Sequence, residues 1–327
     1  MITGGKVDSC QETSYDWRAH ILNIAMSFDR KYLLPTMVSV HSLNAKSGEN
    51  LFFSFGLDRR QFPKGPPQIM TQFLKELSIS FSIFWLESPE FLGEFGHISS
   101  SAFNKLIMAD FIDTAHVWID ADTVGLGALE ESAFYVPDGH ALGMVQNSQM
   151  TKLGQPREED PRLIFNSGVV AFPAGKRRDW LAYATSATEA LLFADQEIFN
   201  VLYAGDIQGL PATLNSDLRV QTANIRGDAV IGHFLGSQKP WHLMGFARAR
   251  CATDECGFSH WFEAEIAMFA DTKLTINRWQ CLPWKFRSSA YNQNFRAALL
   301  AFAMAILPLK IAWSRLKAVH PYMHWGK

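Results

Sequence analysis

The chain has 327 residues, 48% of them hydrophobic, and a formal net charge of −2. That is enough apolar material to bury a sizeable core in one large or two small domains, so composition points to a globular protein. Four cysteines, Cys10, Cys251, Cys256 and Cys281, are too few and too irregularly spaced for a disulfide framework, which excludes a cystine-stapled scaffold and fits a reducing compartment.

Residues 1–19 form a polar extension of mixed charge. No basic head followed by an apolar run occurs there, so export is not expected and a cytoplasmic location is. Short β-branched or apolar runs then predict strands at His20–Ala25, Leu51–Gly56, Ile79–Leu86 and His116–Asp120. Between them, helical patterns cover Leu33–Leu43, Ile69–Leu77 and Ser100–Met108. Strand and helix alternating in this way predict an α/β domain with a largely parallel sheet. Further strands are expected at Ala141–Val145, Leu163–Phe172 and Ala229–Phe234, and a polar loop containing Gly154 and Pro156 at Asn147–Pro161.

The strand Val117-Trp118-Ile119 ends in Asp120-Ala121-Asp122, two acids one residue apart. At a strand end such a pair can turn one carboxylate toward a bound Mn²⁺ or Mg²⁺ and the other toward the metal or a sugar hydroxyl. The bland alternative is that Asp122 caps a following helix. A second element, Ile231 to His242, supplies His233 as a possible imidazole ligand, Gly236 where backbone can approach an anion, and Lys239 as a point charge for phosphate. Its bland alternative is a buried strand histidine before an ordinary Gly and Pro turn.

From Thr272 to Lys327 the chain carries nine Lys or Arg and no acid, which leaves −11 for residues 1–271. Within that tail Ala297–Leu309 is apolar for thirteen residues, too short to cross a bilayer, which takes about 20. A helical basic tail rich in Trp, Tyr and Phe is expected to lie on an anionic membrane surface, with packing against the catalytic domain as the alternative. Nucleic acid is not expected, because the acidic body opposes a polyanion. Cys251, Cys256 and His260 offer only three zinc ligands at an unusual spacing, so they read as structural side chains.

Five ordered segments between His20 and His242 resemble family 8 of the glycosyltransferases, which includes bacterial lipopolysaccharide galactosyl- and glucosyltransferases and glycogenin. They are Ala25 to Tyr32, Trp118 to Thr123, Ile164 to Val170, Ala194 to Asn200, and Gly232 to His242. The resemblance implies a GT-A type nucleotide-sugar-binding domain over residues 20–271, a Rossmann-like mixed sheet flanked by helices. It also implies a retaining hexosyltransferase that takes galactose or glucose from a UDP-sugar, with Mn²⁺ or Mg²⁺, to a saccharide or glycolipid such as lipopolysaccharide core.

Carried over residue by residue, the resemblance puts Asp29 on the base and Tyr32 against it. Asp120, Asp122 and His233 become metal ligands, and Gly236 and Lys239 phosphate contacts. Asn166 would sit beside the donor sugar, Asp195 on its hydroxyls and Gln196 under its anomeric carbon. Lys105 stands where the family has a donor-binding arginine, replacing a bidentate grip by a single charge. Arg30 and Lys31 replace an acid and an asparagine, and Asn147 falls where an acid is common. An amide at position 196 offers no carboxylate nucleophile, which favours front-face attack by the acceptor hydroxyl. Two other classes use the same residues. A non-catalytic nucleotide-sugar-binding or scaffold protein would release no nucleotide, and a metal-dependent phosphohydrolase would need no acceptor and would leave Asn166 and Gln196 without a purpose.

Overall fold

A computed structural model describes residues 22–48, 50–87, 100–146, 164–175, 179–186, 194–218, 227–237, 239–242 and 257–272. The polar extension 1–19, Asn147 with its expected loop, Cys251, Cys256 and the basic tail from residue 273 lie outside the described residues. Strand β1 (Leu22–Ser27), helix α1 (Leu33–Lys46), β2 (Leu51–Asp58), α2 (Gln68–Glu76) and β3 (Ser80–Leu86) follow the predicted alternation. They are succeeded by α3 (Asn104–Phe111), β4 (His116–Ile119), β5 (Thr123–Gly125), β6 (Leu142–Gln146), β7 (Phe165–Phe172), α4 (Trp180–Ser186) and α5 (Ala194–Leu202). Then come β8 (Ile207–Leu210), β9 (Ser216–Asp217), β10 (Ile231–His233) and α6 (Ser259–Asp271).

Among the described residues a seven-stranded sheet runs in the order β3-β2-β1-β4-β7-β6-β8. Its strands are parallel except β7, which is antiparallel to both β4 and β6. The sheet is therefore largely parallel, as the alternation predicts, and mixed through β7, as the family resemblance implies. The run read as one more strand of the domain, β10, leaves this sheet and forms a small one in the order β5-β10-β9.

Period-two alternation divides the strands between two apolar cores. Ile24, Met26, Val117, Ile119, Val169 and Ala171 face one core, while Ala25, Trp118, Val170 and Phe172 face the other. Helix α1 packs into the first core and also touches the small sheet, so its polar residues Thr36, Ser39, His41 and Ser42 are buried and each has a partner. Thr36 Oγ1 donates to Tyr32 O at 2.7 Å, Ser39 Oγ pairs with Thr123 Oγ1 at 2.8 Å, and Ser42 Oγ accepts from Gly125 N at 2.9 Å. His41 Nε2 meets Asp271 Oδ2 of α6 at 3.0 Å. A Cβ at Gly125 would come within 2.7 Å of Ser42 O, so only glycine lets β5 lie against α1.

One side chain ties helix α5 to the backbone of β7. Asn200 Oδ1 accepts from Phe165 N at 2.8 Å, and its Nδ2 donates to Phe165 O at 2.9 Å and Gln196 O at 2.7 Å. An Asn200→Ala variant strips two partners from Phe165 at the start of β7 and one from Gln196, and is expected to lose about 1–3 kcal/mol of stability in denaturant unfolding.

Candidate functional site

The strand order places β2 and β3 on one side of β1 and β4 on the other, so successive connections depart in opposite directions between β1 and β4. Outside the carboxyl ends of the strands at such a point lies a natural crevice. Asp29 follows β1 there, and Asp120 and Asp122 follow β4. Because β7 runs the opposite way, its first residues reach the same end, with Ile119 paired to Val169 and Asp120 N donating to Gly168 O at 2.8 Å.

Strand β10 brings the last element. Its antiparallel register sets His233 opposite Thr123, and Phe234 N donates to Asp122 O at 3.0 Å. Ligand atoms of Asp120, Asp122 and His233 thereby lie within 4.8 Å of one another. Two hard carboxylates and one imidazole are a donor set that can coordinate a divalent cation. His233 Nε2 faces Asp122 Oδ1 at 3.2 Å, while its Nδ1 pairs with Asn215 Oδ1 at 2.9 Å.

Two lysines compensate the acids. Lys105, 1% exposed, reaches Asp195 Oδ2 at 2.7 Å and Asp120 Oδ1 at 3.1 Å, donates to Ser167 O at 2.9 Å and lies over the Trp118 ring at 5.7 Å. Burial opposes its charge, yet Asp120 and Asp195 outweigh burial and raise its pKa. The ammonium thus sits beneath the carboxylates rather than in the open crevice. Lys239 donates to Asp122 Oδ2 and to Phe234 O, each at 2.5 Å.

The paired acids differ in consequence. Burial pushes the Asp120 carboxyl up, and Lys105 offsets this only in part. At Asp122 burial acts the same way, but Lys239 and His233 overcome it and hold the carboxyl well below the usual range. The Tyr32 hydroxyl is raised by burial and then by Asp122, Asp29 and Asp120, so it too faces this acidic centre.

Asn166 Nδ2 donates to Gln196 Oε1 at 3.0 Å, and Asp195 Oδ2 accepts from Ser167 Oγ at 2.7 Å, so the starts of β7 and α5 meet beside the acids. Gly236 has φ of 79°, backbone that favours glycine. Asp29 uses Oδ1 to accept from Lys31 N at 2.7 Å and Tyr32 N at 3.0 Å, shaping the turn into α1, and Tyr32 packs edge-on against Trp241. His260 lies on α6 near Glu263, at 3.8 Å.

Sequence reading did not find Asn215, which bonds His233 and donates to Asn166 Oδ1 at 2.7 Å, nor Trp118 Nε1, which donates to Asp120 Oδ1 at 2.7 Å. Trp118 stood two residues from Asp120 on an apolar strand, but nothing local marks Asn215. Gly168 is a further requirement, since a Cβ there would overlap the His233 ring. Gly168→Ala is expected to displace His233 and weaken Mn²⁺ binding about tenfold or more in titration calorimetry, with the melting transition still cooperative.

Residues 23–245 match the model of glycosyl transferase family 8. The chain is similar to a lipopolysaccharide 1,2-glucosyltransferase of Escherichia coli, 22% identical over 251 residues, 67% of this chain and 73% of the relative. Its fold is similar to that of the galactosyltransferase LgtC, solved with donor and acceptor sugar analogs. That match has a TM-score of 0.62 and 16% identity, and covers 79% of this chain and 99% of the other. It is also similar to the glycosyltransferase GlyE of Streptococcus pneumoniae TIGR4, with a TM-score of 0.53 and 14% identity, over 75% of this chain and 61% of the other. With a mixed sheet of GT-A type and a matched stretch covering more than half of its length, this chain belongs to glycosyl transferase family 8 and is an enzyme of the glycosyltransferase class.

Proposed function

We propose that the chain transfers a hexose, galactose or glucose, from a UDP-sugar to a saccharide or glycolipid acceptor such as lipopolysaccharide core, with Mn²⁺ at Asp120, Asp122 and His233. The observation that carries this reading is the convergence of those three side chains beside Asn166, Asp195 and Gln196. Similarity to a relative named for lipopolysaccharide glucosyl transfer supports the acceptor class. A divalent cation bound there neutralises the charge that a diphosphate gathers as it leaves.

The chain's own residues do the rest. Lys239 and the backbone at Gly236 receive phosphate oxygens, Asp29 and Tyr32 flank the nucleoside, and Asn166 and Asp195 hold sugar hydroxyls. Lys105 carries the family's donor-binding position in altered form: from beneath, it neutralises Asp120 and Asp195 and fixes their approach to the donor. Gln196 lies under the anomeric carbon and supplies no carboxylate. The acceptor hydroxyl therefore attacks from the face the diphosphate leaves. Its oxygen bonds to the anomeric carbon as the carbon–phosphate oxygen bond breaks, its proton passes to a phosphate oxygen, and the α configuration is retained. Positive charge developing on the sugar is stabilised only as it forms, which makes these contacts catalytic rather than merely binding.

Residues 20–271 form the catalytic domain in this reading. No helix among the described residues is long and apolar enough to cross a membrane. The nine bases of residues 272–327 would hold the enzyme on an anionic membrane, on the cytoplasmic face, where a lipid-linked acceptor shares the surface.

Incubation with UDP-glucose and UDP-galactose in the presence of Mn²⁺ is expected to release UDP from one of them, with chelation stopping turnover and added Mn²⁺ restoring it. Asp122→Asn should lower kcat/KM by about 100-fold or more. No release from any UDP-sugar at saturating Mn²⁺ would remove this function, and a covalent glycosyl adduct on a side chain would replace direct attack by a double displacement.

A further inference from the structure

Four amide-bearing and imidazole side chains form one hydrogen-bonded line from α5 to the acidic centre: Gln196, Asn166, Asn215 and His233. Each could in principle be turned round, since an amide presents oxygen on one side and nitrogen on the other and a neutral imidazole carries its proton on either nitrogen. One contact removes that freedom. Gly168 N, a backbone group that can only donate, lies 2.9 Å from Asn166 and must meet its oxygen. Asn166 Oδ1 is then an acceptor, so the Asn215 atom 2.7 Å away must be the NH₂ donor. The other end of the Asn215 amide is consequently its oxygen, and the His233 Nδ1 facing it at 2.9 Å must carry the proton. In the opposite direction Asn166 presents its NH₂, so Gln196 meets it with Oε1 at 3.0 Å.

We infer that Asn215 is a positioning residue which, oriented by the Gly168 peptide through Asn166, holds a proton on Nδ1 of His233 and so reserves Nε2, the nitrogen facing Asp122, for a cation. The inference rests on the metal reading for its purpose but not for its geometry. Nε2 stands 3.2 Å from Asp122 Oδ1, and a ring whose Nδ1 proton is held by Asn215 keeps Nε2 as the nitrogen able to bind a cation beside that carboxylate. The relay also links the orientation of the His233 ring to that of Gln196, so the two ends of the site cannot be set independently.

Asn215 occupies the 3-10 turn Ala212–Asn215, immediately before β9, which pairs with β10. Two of its jobs can be separated by substitution. Asn215→Leu removes both the acceptor for Nδ1–H and the donor to Asn166. Asn215→Asp keeps an acceptor of the same shape but donates nothing.

The full-length protein, metal-free and with ¹⁵N-labelled histidine at pH 8, tests this directly, the His233 signals being identified by their loss in His233→Gln. The wild type is expected to show Nδ1 protonated. In Asn215→Leu the proton should move to Nε2, where Asp122 Oδ1 accepts it, and calorimetric affinity for Mn²⁺ alone should fall about tenfold or more. Asn215→Asp should keep the wild-type tautomer and bind Mn²⁺ within about threefold of the wild type. A bare Nδ1 in the wild type, or an Asn215→Leu protein with unchanged tautomer and Mn²⁺ affinity, overturns the inference. Should Asn215→Leu not fold, the wild-type spectrum and Asn215→Asp decide the matter. A wild type with the expected tautomer that binds no Mn²⁺ sinks the metal reading and leaves the relay standing.

Discussion

Two carboxylates one residue apart, both largely withdrawn from water at the end of a strand, repel one another and lose hydration together. The surroundings of Asp120 and Asp122 are organised around that constraint. Lys105 lies under one and Lys239 against the other, and His233 completes the ring. Burying an ammonium as deeply as that of Lys105 costs several kcal/mol, and the cost is offset only because two carboxylates and a carbonyl meet it. Removing any one partner would leave the others as uncompensated buried charge, so the site is a single electrostatic unit rather than a collection of contacts.

The fold provides the rigidity that such a unit needs. Asp120 begins where β4 ends, and its backbone is tied to Gly168 of a strand running the other way. That reversal gives the site its composition: a parallel strand in the same place would have delivered its carboxyl end, whereas β7 delivers Phe165 to Gly168. Asn200 then clamps α5 to that same stretch, which is how Asp195 and Gln196 arrive beside the acids. Here the asparagine at the end of the motif serves the backbone, and the residues before it bond the side chains of Asn166, Ser167 and Lys105.

Polar groups inside α1 carry a similar lesson. Ser39 and Ser42 bond the small sheet and His41 bonds α6, so a helix with buried polar residues on several faces is explained by having two neighbours rather than one. The small sheet is thereby held against the main body, and with it the strand that presents His233. A site assembled from the residues that follow β4 and from β10 depends on this docking as much as on the side chains themselves.

Much of this was written in the local sequence. Apolar runs with period two marked β1 to β4, helical periodicity marked α1 and α2, and the acids after Ile119 declared a polar centre at a strand end. The five ordered segments named the family and with it the mixed sheet. What the sequence could not determine is which strand faces which. The reversal of β7, the departure of β10 into a second sheet, the burial of Lys105 and the part played by Asn215 all arise from pairings between residues far apart in the chain, such as the 117 residues that separate Asp122 from Lys239. Local periodicity fixes which face of a strand is apolar. Hydrogen-bond register between distant strands, decided only when the whole core closes, fixes which side chains meet.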